Sequence, residues 1–253
     1  MIAPLFVPAS RSDRFAKAAA SGADAVILDL EDAVAAADKD TARAALTADL
    51  GLPVVLRING AGTPWHQADL AAAARLSLAA VMLPKAEDAA TVAAVAASTG
   101  HKVIALIETA RGLANARSIA VAARQLAFGS VDFCADLRCA HESALLLPVR
   151  SELVLASRLA GVAPPLDGVT LRIDGPEAGT DAAHARALGM AGKLCIHPRQ
   201  VAAAQAAFAP SPAEIDWASR VLASGDGAVA VDGEMVDEPV RARARAILNR
   251  AAP

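Results

Sequence analysis

Tyrosine is missing from this chain, and aromatic residues together make up only 3%. That excludes a nucleic-acid platform built by stacking bases on aromatic rings. There is no surplus of positive charge either. The 24 Lys and Arg against 27 Asp and Glu give a formal net charge of -3, so no overall field draws the chain to nucleic acid or to an anionic membrane. Long apolar runs are absent, and none reaches the roughly 20 uncharged residues of a membrane span. Residues 1–8 are apolar but too short, and lack the basic start, for a secretion signal. The three cysteines, Cys134, Cys139 and Cys195, fit no recognised metal or disulfide spacing. An odd count without a secretion signal points to a reducing cytoplasm. Neither a GxGxxG fingerprint nor a Walker phosphate loop occurs.

What is present is a large apolar fraction, 55%, much of it alanine, in 253 residues. That suits helices packed closely around a sizeable core, and one (β/α) barrel needs about 250 residues. The residue 102–109 segment, Lys102-Val103-Ile104-Ala105-Leu106-Ile107-Glu108-Thr109, is apolar without alternation and ends on a carboxylate. Such a run predicts a central parallel strand buried on both faces. Strands are predicted in the same way at 2–7, 23–30, 53–58, 80–83, 125–129, 165–171 and 193–196. Helices are predicted between them at 12–20, 38–49 (with Asp38 as N-cap), 65–76, 88–98, 112–123, 151–160 and 179–188, with 130–136 a loop or short helix. Eight β–α alternations predict a (β/α)8 TIM barrel over residues 1–210.

The tail differs. A helix at 211–223, a turn at 224–227, a hairpin over 229–236 around Asp232-Gly233 and an arginine-rich helix at 239–250 lie outside the alternation. Residues 211–253 therefore read as a separate segment that caps the barrel or crosses to a neighbouring subunit.

In barrels, chemistry gathers at the C-terminal ends of the strands. There the sequence delivers Glu31 and Asp32, Arg57, Lys85, Glu108, Asp132 and His197, from six strands. Glu108 and Asp132, on adjacent strand ends, are the best pair for Mg2+, which accepts two carboxylates and fills its remaining positions with water and substrate; Asp132 could instead cap a helix. Arg57 could hold a carboxylate or a developing oxyanion in fork geometry, or pair with Glu31 or Asp32. Lys85 could bind an anion or pair with Glu87. His197 reads as a capping or packing residue. Arg11, Arg14 and Lys17 follow the first strand beside a helix N-terminus, a natural phosphate site.

A resemblance accompanies these residues. Phe6-Val7-Pro8-Ala9-Ser10, Leu28-Asp29-Leu30-Glu31-Asp32-Ala33-Val34, Arg57-Ile58-Asn59, Leu83-Pro84-Lys85, Ile107-Glu108-Thr109, Phe128-Gly129-Ser130-Val131-Asp132-Phe133, Gly192-Lys193-Leu194-Cys195-Ile196-His197-Pro198 and Asp232-Gly233-Glu234-Met235-Val236-Asp237-Glu238-Pro239 run in one order over nearly the whole chain. The chain thereby resembles the citrate lyase beta-subunit-like proteins, the acyl-CoA lyases related to malyl-CoA and citramalyl-CoA lyase. The resemblance implies a (β/α)8 barrel assembling as a homotrimer or hexamer. It also implies Mg2+ on Glu108 and Asp132, and Arg57 on the 2-oxo acid or thioester oxygen, with Glu31 and Asp32 beside it among the catalytic candidates. Asp237 matches the acid/base of a C-terminal lid, and Arg11, Arg14 and Lys17 match residues that meet coenzyme A phosphates. The expected activity is cleavage or formation of a 3-hydroxyacyl-CoA such as malyl-CoA or citramalyl-CoA. The rivals are an aldolase on free 2-oxo acids and a complex-dependent subunit working on an acyl carrier protein. One departure stands out: Arg138 occupies a position where members commonly carry glycine, and residues 138–148 follow the family pattern poorly.

Overall fold

The computed structural model describes residues 1–225 and 227–251. Eight strands, β1 (Leu5–Pro8), β2 (Val26–Asp29), β3 (Val54–Arg57), β4 (Ala80–Leu83), β5 (Val103–Ile107), β6 (Gln125–Phe128), β7 (Ala163–Asp167) and β8 (Gly192–Lys193), pair in parallel and in sequence order. The segment running on from β8 bonds back to the chain around β1. The Phe6 amide donates to the Cys195 carbonyl at 2.8 Å and the Cys195 amide to the Pro4 carbonyl at 2.9 Å. The sheet is thus curled in a TIM-barrel-like arrangement. Its inner packing is Ile27, Val55, Met82, Ile104, Leu106, Ala127, Leu166 and Leu194, drawn from β2 to β7 and the residue after β8. β2, β4, β5 and β6 are buried at every position, as unalternated apolar runs require.

The connecting helices are α1 (Phe15–Ala19), α2 (Lys39–Ala44), α3 (His66–Ala73), α4 (Ala89–Thr99), α5 (Ala110–Ala114), α6 (Ala116–Ala122), α7 (Ser130–Leu137), α8 (Leu147–Ala160), α9 (Glu177–Ala187) and α10 (Pro198–Phe208). Several depart from expectation for local reasons. Asp38 makes no capping bond and belongs to a short 3-10 turn ahead of α2. That helix stops early, where the Thr47 hydroxyl takes the Asp49 amide at 3.2 Å and offers the backbone an alternative to helix. The predicted 112–123 helix is broken at Asn115, whose side-chain amide donates to the Glu87 carbonyl at 2.8 Å. The ambiguous segment after β6 is helix α7. α8 starts before the predicted 151, with Pro148 in its first turn. β7 ends at Asp167, short of the predicted 171.

The chain forms two compact units, Met1–Gln205 and Ala206–Pro253. The second contains α11 (Pro212–Ala223), a hairpin of β9 (Val229–Val231) and β10 (Glu234–Val236), and α12 (Glu238–Ala251). Ser211 and Glu214 form a reciprocal capping box at the start of α11. Asp232 and Gly233 both have positive φ, 54° and 82°, as a two-residue hairpin turn demands. Ala218, Val221, Val236, Ala244 and Ile247 make this unit's own small core. The expected turn at 224–227 includes Asp226, which lies outside the described residues. No helix among the described residues is long and apolar enough to cross a membrane.

Candidate active site

A cavity of about 330 Å³ opens at the C-terminal ends of the strands of the first unit, and Asp29, Asp32, Arg57, Glu108 and Asp132 are its charged lining. Phe6 and Phe128 contribute apolar wall. The strands themselves explain the grouping. Asp29 and Arg57 are register partners, the last residues of β2 and β3. Glu108 follows β5 directly, and Asp132 lies in the first turn of α7 after β6.

Arg57 is held as a fork. Its Nε donates to Asp29 Oδ1 at 2.7 Å and its Nη2 to Asp29 Oδ2 at 2.6 Å. Nη1 stands 3.0 Å from Glu31 Oε2, and the guanidinium lies over the Phe6 ring at 4.9 Å. Burial works to lower the Arg57 pKa, but the bond to Asp29 and the charges of Asp29, Glu31 and Glu108 overcome it, and the group is held above its ordinary value. Arg57 is therefore a permanent cation with a fixed plane.

Glu108 is only 1% exposed. Its Oε1 accepts the Lys85 backbone amide at 2.7 Å. Lys85 adopts a left-handed φ of 47°, unusual for a residue with a side chain. Its Nζ donates to Glu31 Oε1 at 2.5 Å and lies 3.9 Å from both Asp32 and Glu108. The other oxygen, Glu108 Oε2, is buried and has no hydrogen-bond partner. It presses on Gly129, where a Cβ would sit 2.3 Å away, so only glycine fits. Burial first, then the charges of Glu31 and Asp132, push the Glu108 carboxyl up to about 8. Burial likewise raises Glu31, against the pull of Arg57 and Lys85.

The charges do not balance. Asp29, Glu31, Asp32, Glu108 and Asp132 face Arg57 and Lys85, and Lys39, whose ammonium feels three of these acids, does not make up the difference. An orphaned carboxylate oxygen, a second carboxylate on the same cavity and a deficit of positive charge fit a hard divalent cation with oxygen ligands. Among the described residues no group of three or more His, Cys, Asp or Glu has metal-holding geometry. Two carboxylates suit Mg2+, which usually keeps several waters.

The predicted residues separate into three groups. Asp32, Arg57, Glu108 and Asp132 line the cavity, and Glu31 and Lys85 sit one bond behind it. Asp132 is inside α7 and does not cap it. Lys85 does not pair with Glu87; that carboxylate takes the Thr109 hydroxyl at 2.9 Å and lies 3.8 Å from Arg111. Arg11, Arg14 and Lys17 are not among the lining residues, and Arg11 is engaged by Asp13 at 2.8 Å. His197 does act at a helix start, its Nδ1 accepting the Arg199 amide at 3.2 Å. In the second unit, Asp237 Oδ1 accepts the Val240 amide at 3.3 Å, an N-cap of α12. Sequence reasoning passed over Asp29. Its signal was there: an acid closing an otherwise apolar strand, level with Arg57 on the next strand.

Residues 3–198 match the protein family described as HpcH/HpaI aldolase/citrate lyase. A citrate lyase subunit beta-like protein of Mycobacterium tuberculosis is 43% identical over 266 residues, covering 98% of this chain and 94% of its own length. A (3S)-malyl-CoA thioesterase of Cereibacter sphaeroides is 36% identical over 271 residues, covering 98% and 93%. The crystal structure of protein CitE from Mycobacterium tuberculosis in complex with magnesium, acetoacetate and coenzyme A superposes with a TM-score of 0.89 at 42% identity, over 99% of this chain and 97% of that one.

Proposed function

The chain belongs to the HpcH/HpaI aldolase/citrate lyase family, and from that premise we propose that it is a Mg2+-dependent carbon–carbon lyase acting on a 3-hydroxyacyl-CoA thioester with a free carboxylate, such as malyl-CoA or citramalyl-CoA. The observation that carries this reading is the buried Glu108, its Oε2 without a hydrogen-bond partner, on the lining of the same cavity as Asp132 and Arg57. Glu108 and Asp132 would hold the ion. When bound, Mg2+ supplies Lewis-acid polarisation of the oxygens on the 2-oxo acid half.

The chain's own residues do the rest. Arg57, its plane fixed by Asp29, donates to the thioester oxygen as enolate charge develops there; donors of this kind contribute roughly 3–4 kcal/mol. The Lys85 amide and the Glu31–Lys85 pair hold Glu108 in its rotamer, so the ligand is preorganised. Asp32 adds carboxylate charge on the cavity wall. Asp237 gives or takes the proton at the acyl α-carbon. Arg11, Arg14 and Lys17 meet the coenzyme A phosphates. This reading carries with it the closed (β/α)8 barrel, residues 211–253 as a lid or subunit-crossing segment, and a homotrimer or hexamer.

The test is product identification with purified protein, Mg2+ and malyl-CoA or citramalyl-CoA. The expected products are an acyl-CoA and a 2-oxo acid. Free coenzyme A with the intact hydroxy acid would instead mark a thioester hydrolase, the activity in the name of the Cereibacter relative. Turnover of free 2-oxo acids alone would mark an aldolase.

A further inference from the structure

The departure from the family pattern at Arg138 has a structural counterpart at the end of α7. Arg138 takes the left-handed conformation, φ 57° and ψ 40°, where glycine would be at ease. Its amide donates to the Ala135 carbonyl at 3.3 Å, and the next amide, of Cys139, reaches back to the Cys134 carbonyl at 3.0 Å. These two bonds define a Schellman helix end. In that motif the residue after the left-handed one and the residue five positions earlier bring their side chains together, usually as an apolar contact. Here both are cysteine. The Cys134 thiol is buried and directed at the Ala140 carbonyl, 3.6 Å away, while Cys139 is exposed. The Cys139 thiol lies beside the Cys134 thiol.

We propose that Cys134 and Cys139 are a built-in oxidation site that forms a reversible intramolecular disulfide across the C-terminal turn of α7. A Schellman end brings these two positions together, and a disulfide needs Cα atoms roughly 4.4–6.8 Å apart. The oxidant is hydrogen peroxide. Exposed Cys139 attacks the peroxide oxygen and becomes a sulfenic acid, releasing water. The Cys134 sulfur then displaces hydroxide from that sulfenic sulfur, which leaves as a second water with the Cys134 proton. Two thiols and one peroxide thus give one disulfide and two waters. A dithiol reductant reverses it. α7 also carries Ser130 and Asp132 on the cavity. The loop after Arg138 returns to the same helix, through a 2.9 Å bond between His141 Nε2 and the Ser130 hydroxyl. The crosslink closes this turn within the helix that bears Asp132. Cys195 stays out of the reaction: it is buried in the barrel, and burial pushes its thiol up to about 12.

The sequence provides a direct readout, because trypsin cuts between Arg138 and Cys139. Full-length protein is treated with hydrogen peroxide, alkylated in denaturant, digested and analysed by mass. The expected result is that free thiols fall from three to one, that peptides 125–138 and 139–150 are joined, and that dithiothreitol separates them. Cys134→Ser is expected to keep the native melting curve and to drive Cys139 to sulfinic acid without a link. Three results overturn the proposal: higher oxides on Cys139 in the wild type while Cys134 remains fully alkylatable, a disulfide-linked dimer through Cys139, or loss of the Cys134 thiol in Cys139→Ser.

Discussion

Two buried charge clusters sit among the strand ends of the first unit, and only one of them is open to a ligand. Around β7 and β8, Asp167 receives Arg150 Nε at 2.7 Å and Lys193 Nζ at 3.1 Å. Lys193 also donates to the Gly168 carbonyl at 2.6 Å and lies 4.0 Å from Asp181. Acids and bases match there, and none of Arg150, Asp167 and Lys193 lines the cavity. Around β2 to β5 the acids outnumber the bases, the buried Glu31 Oε2 and Glu108 Oε2 lack hydrogen bonds and only the first has an ion pair, and Asp29, Asp32 and Glu108 from this cluster line the cavity. The closed cluster restores within the protein most of the solvation that burial removed, with Arg150 Nη1 left without a hydrogen bond. An open one leaves that to something that binds.

The comparison can be broken at either end. The largest effect is expected in the closed cluster: Asp167→Ala leaves Arg150 and Lys193 buried beside too little negative charge and costs about 3–5 kcal/mol of stability, measured by denaturant unfolding. Mg2+ affinity of the folded fraction should stay near wild type; a specific loss would place Asp167 in the open cluster. Next is Arg57→Lys, which keeps a cation near Asp29 and Glu31 but loses the fork. It should lower kcat/KM by about 10²–10³-fold while calorimetry still finds Mg2+ bound. Unchanged turnover would remove Arg57 from the chemistry.

Smaller effects sharpen the contrast. Gly129→Ala puts a methyl 2.3 Å from Glu108 Oε2 and 2.5 Å from its Cβ, with backbone dihedrals that alanine accepts. It should weaken Mg2+ binding with little change in helix content by circular dichroism. Equal affinity would mean that the Glu108 rotamer does not matter. Glu108→Gln should stabilise the metal-free protein while abolishing Mg2+-dependent stabilisation. The sign follows from linkage. The folded-state carboxyl titrates near 8, above its ordinary 4.5, so the native state holds the proton more tightly, and wild-type stability falls as pH rises between those values. The melting-temperature advantage of the glutamine variant in chelator should therefore grow from pH 5 to pH 8 and then level off. A constant difference would contradict the burial of an uncompensated charge.

Much of this was legible in one dimension. Val103 to Ile107 could only be a covered strand, and the repeated alternation of such runs with helix-forming stretches gave the parallel sheet in its order. Glu108, Arg57 and Asp132 could be found because each ends or follows a strand, and strand ends share a rim. Local competition was harder to read. The Thr47 turn that shortens α2, the Asn115 break and the pairing of Lys85 with Glu31 all depend on neighbours distant in sequence or on hydrogen bonds that propensity ignores. The cysteines are the sharpest case. A spacing of five matches no disulfide framework, and only the left-handed turn at Arg138 brings Cys134 and Cys139 together.

By itself the sequence determined which residue types the strand ends carry and that their hydrophobic runs must be buried, since periodicity and burial follow from the covalent order. Tertiary structure decided what those residues are to each other. It made Asp29 the partner of Arg57, set Lys85 between Glu31 and Glu108, and left Glu108 Oε2 alone against Gly129. The physical reason is that desolvation and Coulomb interaction depend on distances through space, which chain order does not encode locally. A carboxylate becomes a ligand in waiting only when the fold has taken away its water and withheld a partner.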